Sequence, residues 1–421
     1  MELSRRKFGK LAVVTGAAVA AGSVAGTTLG GPAGAAATWR ATGTAVPALS
    51  GFDNQLKAFM QARGITAGQV AVTYKGRLVL ARGYSTESTL DVQPTSLFRV
   101  ASVSKTVTGA AIMKLVQDGK LSLSTPVTSI LTFTPPTGQT VDARLKSVTI
   151  KRLLQHLGGW DRNVSGDPNF KDAAIAQALG VPMQLRHADV IKYMAGRPLD
   201  LAPGSKYAYS NYGYLLAGRV IEKVSGLSYE AYVKQKLLTP LKITRMALGA
   251  SVWKRAGEVP YESQSTGRTV MDNSGAIVPA PYGSFSMRTQ DANGGWLASA
   301  PDLVRWAKMF DAPGVLNSTS LASVWAKPET GLATDGSYYG LGWNVRPTTG
   351  GTGRNTWHTG SMPGTFSLLV RTSSGLSWAA VFNRRDDASG KSYGDIDAAM
   401  WTAANGVTSW PTHDLFPKYF V

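Results

Sequence analysis

The apolar positions follow two periods that change along the chain. Phe52, Leu56 and Phe59 recur at i, i+4 and i+7, which predicts a helix over Phe52–Arg63. Val70, Val72 and Tyr74 alternate before Lys75-Gly76, and Leu78 and Leu80 alternate after it, which predicts a hairpin over Gln69–Ala81. Val107, Ala111, Ile112, Leu115 and Val116 share one face of a helix predicted over Thr106–Asp118, which Gly119 stops. Helical spacing returns over Ile150–Leu157, Ala188–Met194, Tyr212–Val224, Tyr229–Leu238 and Ala300–Phe310, with loops rich in Pro, Gly and Ser between. The end of the chain reads as strands at Leu341–Val345, Phe366–Arg371 and Leu376–Phe382, then a helix over Ile396–Ala404. Strands at both ends with a helical middle predict an α/β (α+β) chain whose sheet is built from both termini. No internal repeat or long linker interrupts it. Residues 38–50, small and polar with a proline, read as a flexible lead-in.

Composition adds limits to this pattern. The chain has 421 residues, 43% of them hydrophobic, with 15 Tyr, 12 Phe and 11 Trp. That is enough apolar surface for a packed core and argues against disorder despite a net charge of +18. The absence of cysteine excludes disulfides, thiolate metal sites, cysteine nucleophiles and a lipidated N-terminal cysteine. The four histidines, His156, His187, His358 and His413, lack ligand-type spacing, so no metal is expected. Basic residues are spread along the chain rather than clustered, which argues against nucleic acid as a partner. A basic exported chain can instead associate with anionic cell-wall polymers, or the charge serves solubility alone.

The N-terminus carries Ser4-Arg5-Arg6-Lys7, a mildly apolar stretch rich in Ala and Gly, and Ala35-Ala36-Ala37. Paired arginines, a weak apolar region and a small-residue exit form the pattern of a twin-arginine export signal over residues 1–37. The alternative is a retained anchor, for which Leu11–Ala37 is long enough but poor in span-forming residues. The expected location is periplasmic, cell-wall or extracellular.

Three short motifs carry candidate chemistry. Ser102-Val103-Ser104-Lys105 opens the long helix, so Ser102 and Lys105 fall on one face at i, i+3. A partly desolvated lysine loses its proton near neutral pH and activates a serine. The same spacing occurs at Ser4/Lys7 and Ser251/Lys254, so only the helix singles this copy out. Tyr209-Ser210-Asn211 is the only Tyr-x-Asn in the chain. A tyrosine beside cations becomes a phenolate that shuttles protons, and the Asn amide donates to a substrate. His358-Thr359-Gly360-Ser361 lies just before the strand Phe366–Arg371. There a small residue at 360 would let a substrate backbone lie close, and the N–H groups of Ser102 and Ser361 would form an oxyanion hole. Each motif alone is equally an N-cap serine, a packed tyrosine or a loop histidine.

Their order, with gaps of about 100 and 150 residues, resembles the three active-site motifs of the serine β-lactamase and penicillin-binding protein superfamily. The resemblance is to the group holding class C β-lactamases, D-alanyl-D-alanine carboxypeptidases and related esterases. It extends to Phe98–Ala101, Leu153–Gly159, Pro203-Gly204 through Gly213, Gly294-Gly295 with Asp302-Leu303, and Tyr339–Trp343. It implies a β-lactamase/transpeptidase-like fold, an antiparallel sheet flanked by helices with an inserted, mostly helical subdomain. The hydrolase domain would span 51–421, with the sheet subdomain at 51–124 and 291–421 and the helical one at 125–290.

By the same resemblance Ser102 is the acylated nucleophile, Lys105 eases its deprotonation, and Tyr209 is the general base and acid. Asn211 positions the substrate, and His358, Thr359, Gly360 and Ser361 form the strand edge along which it lies. No cofactor is implied. Histidine replaces the lysine common in β-lactamases at 358, and a neutral imidazole is a poorer anchor for a carboxylate. The expected activity is therefore an exported serine hydrolase acting through an acyl-enzyme on amides or esters, carboxypeptidase-like or esterase-like. The alternatives are a β-lactamase, an acyltransferase, and a non-catalytic penicillin-binding sensor. Trp160, Asp161 and Arg162 are candidates for the mouth of the site.

Overall fold

The computed structural model describes residues 39–86, 90–350 and 353–420. The export signal expected over 1–37 lies outside the described residues. In chain order the first elements are β1 (Arg40–Thr42), α1 (Ser50–Ala62), β2 (Ala67–Tyr74), β3 (Arg77–Ser85), β4 (Phe98–Arg99) and α2 (Ser104–Gln117). The middle holds α3 (Ile150–Leu154), α4 (Asp172–Leu179), α5 (His187–Ala195), α6 (Asn211–Ser225), α7 (Tyr229–Val233), β5 (Ala247–Leu248), β6 (Thr266–Arg268) and β7 (Ile277–Pro279). Then follow α8 (Asp291–Gly294), β8 (Trp296–Ala298), α9 (Ala300–Lys308), α10 (Ser318–Val324), β9 (Tyr338–Tyr339), β10 (Asn344–Pro347) and β11 (Arg354–Met362). The chain closes with β12 (Thr365–Arg371), β13 (Leu376–Phe382), α11 (Ile396–Asn405) and α12 (Phe416–Tyr419).

One sheet joins the two ends of the chain in the order β1-β3-β2-β13-β12-β11-β10-β9, with neighbours antiparallel. The β2–β3 turn is Lys75-Gly76, both with positive φ (48° and 76°), the backbone that a two-residue hairpin of matching twist requires. Successive side chains of a strand point to opposite faces. In β13, Leu376, Trp378, Ala380 and Phe382 pack with Phe52 and Leu56 of α1 and Ile396 and Met400 of α11. Ala379 and Val381 belong to the opposite core, with Val107 and Ala111 of α2 and Leu303 and Val304 of α9. Both faces are covered, so β13 is buried along its whole length. Each large apolar side chain so enclosed contributes roughly 1.5–3 kcal/mol.

The segment between α2 and β9 supplies no strand to this sheet. Its β8 and β5 join β4 in a separate sheet of order β4-β8-β5, which sets the chain just before Ser102 against β8, and its β6 and β7 pair with each other.

Several expectations shift. The lead-in over 38–50 is not merely flexible: β1 pairs with β3, and Leu49 is fully buried against α1. The predicted helix over Ile150–Leu157 stops at Leu154, because the backbone turns left-handed at His156 (φ 59°). The predicted strand Leu341–Val345 pairs only from Asn344 onward. The aromatic tail packs on the core: Phe416 and Phe420 are buried, and Trp410 stacks on Tyr74 at 4.5 Å.

Candidate active site

Ser102 sits in a single 3-10 turn, Ala101–Val103, that leads from β4 into α2. Ala101 has a left-handed backbone (φ 45°), which turns the chain sharply just before the serine. The turn is held from several sides. The buried Arg99 guanidinium donates to Pro281 O (2.6 Å) and Ala250 O (2.8 Å) and lies 3.7 Å from the Glu258 carboxylate. Thr365 Oγ1 donates to Arg99 O and Ser367 Oγ to Val100 O, at 2.6 and 2.7 Å, fastening the turn to β12.

Gly360 completes this packing in a way that differs from the expectation. A Cβ there would meet Val100 O at 2.1 Å and Ser367 Oγ at 2.3 Å. The space a side chain needs is filled by the protein itself. Glycine at 360 lets the segment leading to Ser102 lie against β11, rather than making room for a substrate backbone.

Lys105, one turn on from Ser102, is fully buried. Its Nζ donates to Ser102 Oγ (3.1 Å), Asn211 Oδ1 (2.7 Å) and Asn293 O (2.8 Å). Burial holds its ammonium well below the usual lysine range; Asp167 opposes this and Arg162 adds to it. The amine is thus hydrogen-bonded, dry and easily deprotonated.

Tyr209 and Asn211 come from the segment that starts α6. Ser210 caps that helix, its Oγ accepting from Gly213 N at 3.2 Å, so residues 209 and 211 flank a fixed point. The Tyr209 ring lies 4.9 Å from Lys105 Nζ, and its hydroxyl interacts with the Ser102 side chain. The phenolate expected there does not fit the electrostatics. Burial pushes the phenol up, and the pull from Ser102 and Arg162 does not offset it. Tyr209 is a neutral donor. Asn211 receives Lys105 on its oxygen and donates Nδ2 to Asp167 Oδ2 at 2.5 Å.

The His358 motif lies within β11. Residues Thr356–Met362 pair with β12, but pairing with β10 ends at Trp357. The β10 side of residues 358–362 therefore carries no strand among the described residues, with Thr359 half-buried and Ser361 exposed. The His358 ring itself is not part of that open edge. It is 2% exposed, its Nδ1 donates to Thr359 O (2.6 Å), and its Nε2 accepts from Tyr339 OH (2.8 Å). Burial, with Lys105 nearby, pushes it down to about 3, so it stays neutral with both nitrogens engaged.

Ser102, Lys105, Tyr209 and Asn211 are thus brought together, and Thr359–Ser361 border them. Sequence reasoning did not single out Asp167, the Asn293 carbonyl or Arg385. The last is an exposed guanidinium 3.5 Å from Ser361 Oγ. A main-chain acceptor and partners far along the chain leave no local motif to find. Of the three candidates for the mouth, Trp160 is packed in the core edge-on to Tyr212. Asp161 is engaged with nearby loop residues, its backbone N–H donating to Asp200 Oδ2 at 2.7 Å and its Oδ1 accepting from Asn163 N at 2.9 Å. Arg162 alone is at the mouth, exposed, 4.7 Å from the Tyr209 ring. Among the described residues no cluster of His, Asp or Glu has metal-holding geometry.

The sequence model of the Beta-lactamase family matches residues 52–399. Protein flp of Staphylococcus aureus (strain COL) is 26% identical over 243 residues, 57% of this chain and 46% of that protein. The chain thus spans about half the length of the first curated relatives it matches. Penicillin-binding protein 4 of Amycolatopsis lactamdurans is 29% identical over 322 residues, 72% of this chain and 76% of that one. The octameric penicillin-binding protein homologue from Pyrococcus abyssi superposes with a TM-score of 0.63 at 24% identity, over 86% of this chain and 79% of that one, which shows a shared fold. The superfamily is one of serine hydrolases, including penicillin-binding proteins and β-lactamases. The protein belongs to the beta-lactamase family, within the serine β-lactamase and penicillin-binding protein superfamily, and has its β-lactamase/transpeptidase-like fold.

Proposed function

We propose that the protein is an exported serine hydrolase that forms an acyl-enzyme on Ser102 with amide or ester substrates, in the manner of a D-alanyl-D-alanine-type carboxypeptidase. The observation that carries this reading is the buried Lys105 amine, 3.1 Å from Ser102 Oγ and held below its ordinary pKa. In its neutral form Lys105 keeps two N–H donations, to Asn211 Oδ1 and Asn293 O, turns its lone pair to Ser102 and takes that proton as Oγ attacks the substrate carbonyl carbon. The oxyanion forms against the N–H groups of Ser102 and Ser361. Tyr209, a neutral phenol, gives its proton to the leaving amine or alkoxide and regains one from Lys105. Water then enters at the position of the leaving group, and the same transfers run in reverse to release the acid. Asn211 holds Lys105 in place, and the open edge at Thr359–Ser361 aligns the substrate. The base role rests on Lys105 rather than Tyr209, because burial favours the uncharged form of both groups.

A second reading, a carboxylesterase, is favoured by one observation. The buried, neutral His358 ring offers no cation to a substrate carboxylate. Export rests on the leader over 1–37, and mass analysis of the secreted protein is expected to show a mature N-terminus near Thr38. Association with anionic wall polymers is part of the proposal and follows from the basic charge.

The deciding experiment is the intact mass of the protein after incubation with a penicillin, with the drug followed in parallel. A stable adduct on Ser102 supports the peptidase reading. Drug loss without an adduct identifies a β-lactamase. Intact drug with Ser102-dependent hydrolysis of an activated ester supports the esterase. If Ser102→Ala hydrolyses that ester at the wild-type rate, the acyl-enzyme mechanism is wrong.

A further inference from the structure

The Tyr209 segment is clamped by a residue that takes no part in the transfers above. His156 ends the α3 turn in a left-handed backbone (φ 59°) and is 1% exposed. Its carbonyl accepts from Ala208 N at 3.0 Å. Its ring Nδ1 accepts from Ser210 N at 3.1 Å. These are the two neighbours of Tyr209 in the chain. The ring itself lies 4.2 Å from the Tyr209 ring, tilted by 34°, and is backed by Tyr339 at 4.4 Å and Tyr214 at 5.2 Å. Tyr209 is therefore held at three points by one residue.

The tautomer follows from the geometry. A nitrogen that accepts from a backbone N–H carries no proton, so the ring proton is on Nε2. Nε2 is buried and has no hydrogen-bond partner among the described residues. A buried, unpartnered donor is destabilising. An apolar ring would fill the same space without it. What the imidazole offers in return is Nδ1, an acceptor aimed at Ser210 N–H.

We infer that His156 is a positioning residue for Tyr209, fixing the phenol over Lys105 and Ser102 through the Ser210 N–H and the ring contact. The inference rests on the reading of Tyr209 as proton donor. His156→Phe keeps a ring and loses the acceptor. His156→Asn loses the ring but places Oδ1 near the Nδ1 position, and Asn tolerates a left-handed backbone.

The test is steady-state hydrolysis of an activated ester, with melting temperatures to confirm folding. His156→Phe is expected to lower kcat about 100-fold, the scale of an ångström-sized misplacement, with KM nearly unchanged. His156→Asn is expected to recover at least about a tenth of the wild-type kcat. In a Tyr209→Phe background the His156→Phe change is expected to cost less than about two-fold, since the hydroxyl it aligns is gone. An equal loss with and without the Tyr209 hydroxyl, or a loss in KM alone, overturns the inference. Crystal structures of the two variants give a readout independent of turnover. A Tyr209 ring displaced in the Phe variant and in place in the Asn variant supports it, and an unmoved ring in both sinks it. Should Ser102→Ala retain activity, the mechanism fails, while the crystal structures still decide whether His156 fixes Tyr209.

Discussion

The floor and the rim of the site hold cations in opposite circumstances. On the floor, Lys105 is fully buried and has three acceptors between 2.7 and 3.1 Å. On the rim, Arg162 lies over the Tyr209 ring and Arg385 reaches Ser361 Oγ, both exposed. Both guanidiniums reach solvent, and the partial burial that lowers Arg385 from its ordinary range still leaves a guanidinium charged. Dehydration instead drives Lys105 toward its neutral form, and its acceptors then fix where the amine points. A positive residue type thus becomes a base on the floor and remains a charge on the rim.

The largest effect separating the two is expected from Lys105→Met. It should lower kcat/KM on an activated ester by roughly 10³–10⁴-fold, the upper range for a general base. Tyr209→Phe should lower it less, by about 100-fold, and a larger loss than in Lys105→Met would return the base role to the phenol. Acidification tests the same floor. Activity requires the neutral amine, so it should fall as pH drops through the depressed Lys105 pKa, with a plateau above it. An acid limb centred near the ordinary lysine value of about 10.4 would rule the mechanism out.

Stability carries the matching sign. Below about pH 10.4 the unfolded chain keeps the Lys105 proton that the folded chain has shed. The unfolded state then binds more protons, so this residue makes stability rise with pH between its folded and unfolded pKa. The melting temperature of wild type should therefore climb more steeply with pH than that of Lys105→Met.

A smaller change is expected where the floor meets the sheet. Gly360→Ala forces a methyl toward Val100 O and should destabilise the fold by about 1–3 kcal/mol, read by denaturant unfolding, with a fall in rate. The smallest effects belong to the rim. Arg162→Ala and Arg385→Ala should leave the melting temperature unchanged and alter rates by a few-fold at most. Salt should shrink those changes, because exposed charges are screened. A loss as large as that of Lys105→Met in either variant would erase the contrast.

Periodicity made the elements built on a strong two-faced pattern legible. The hairpin around Lys75-Gly76, the helix after Ser102 and the strand Leu376–Phe382 all form where the alternation of apolar positions placed them. Alternation alone does not mark β11, because His358-Thr359-Gly360-Ser361 offers almost no apolar side; a strand edge there is implied only by the family resemblance. Its strand character comes from pairing with β12, a partner it meets only through the turn at Met362–Thr365. The helix over 150–157 was read too long, since spacing does not record the left-handed turn at His156.

What the sequence determined by itself was the set of reactive residues, their order, and the elements that carry Ser102 and Lys105, because spacing on one helix is a local property. Only the tertiary structure decided their state. It buried Lys105, left Tyr209 a neutral phenol, turned the His358 ring inward onto Tyr339 and gave Gly360 its purpose against Val100. These depend on dehydration and on neighbours distant along the chain, most of them more than a hundred residues away, and pair distances and solvent exposure of that kind exist only once the chain has folded.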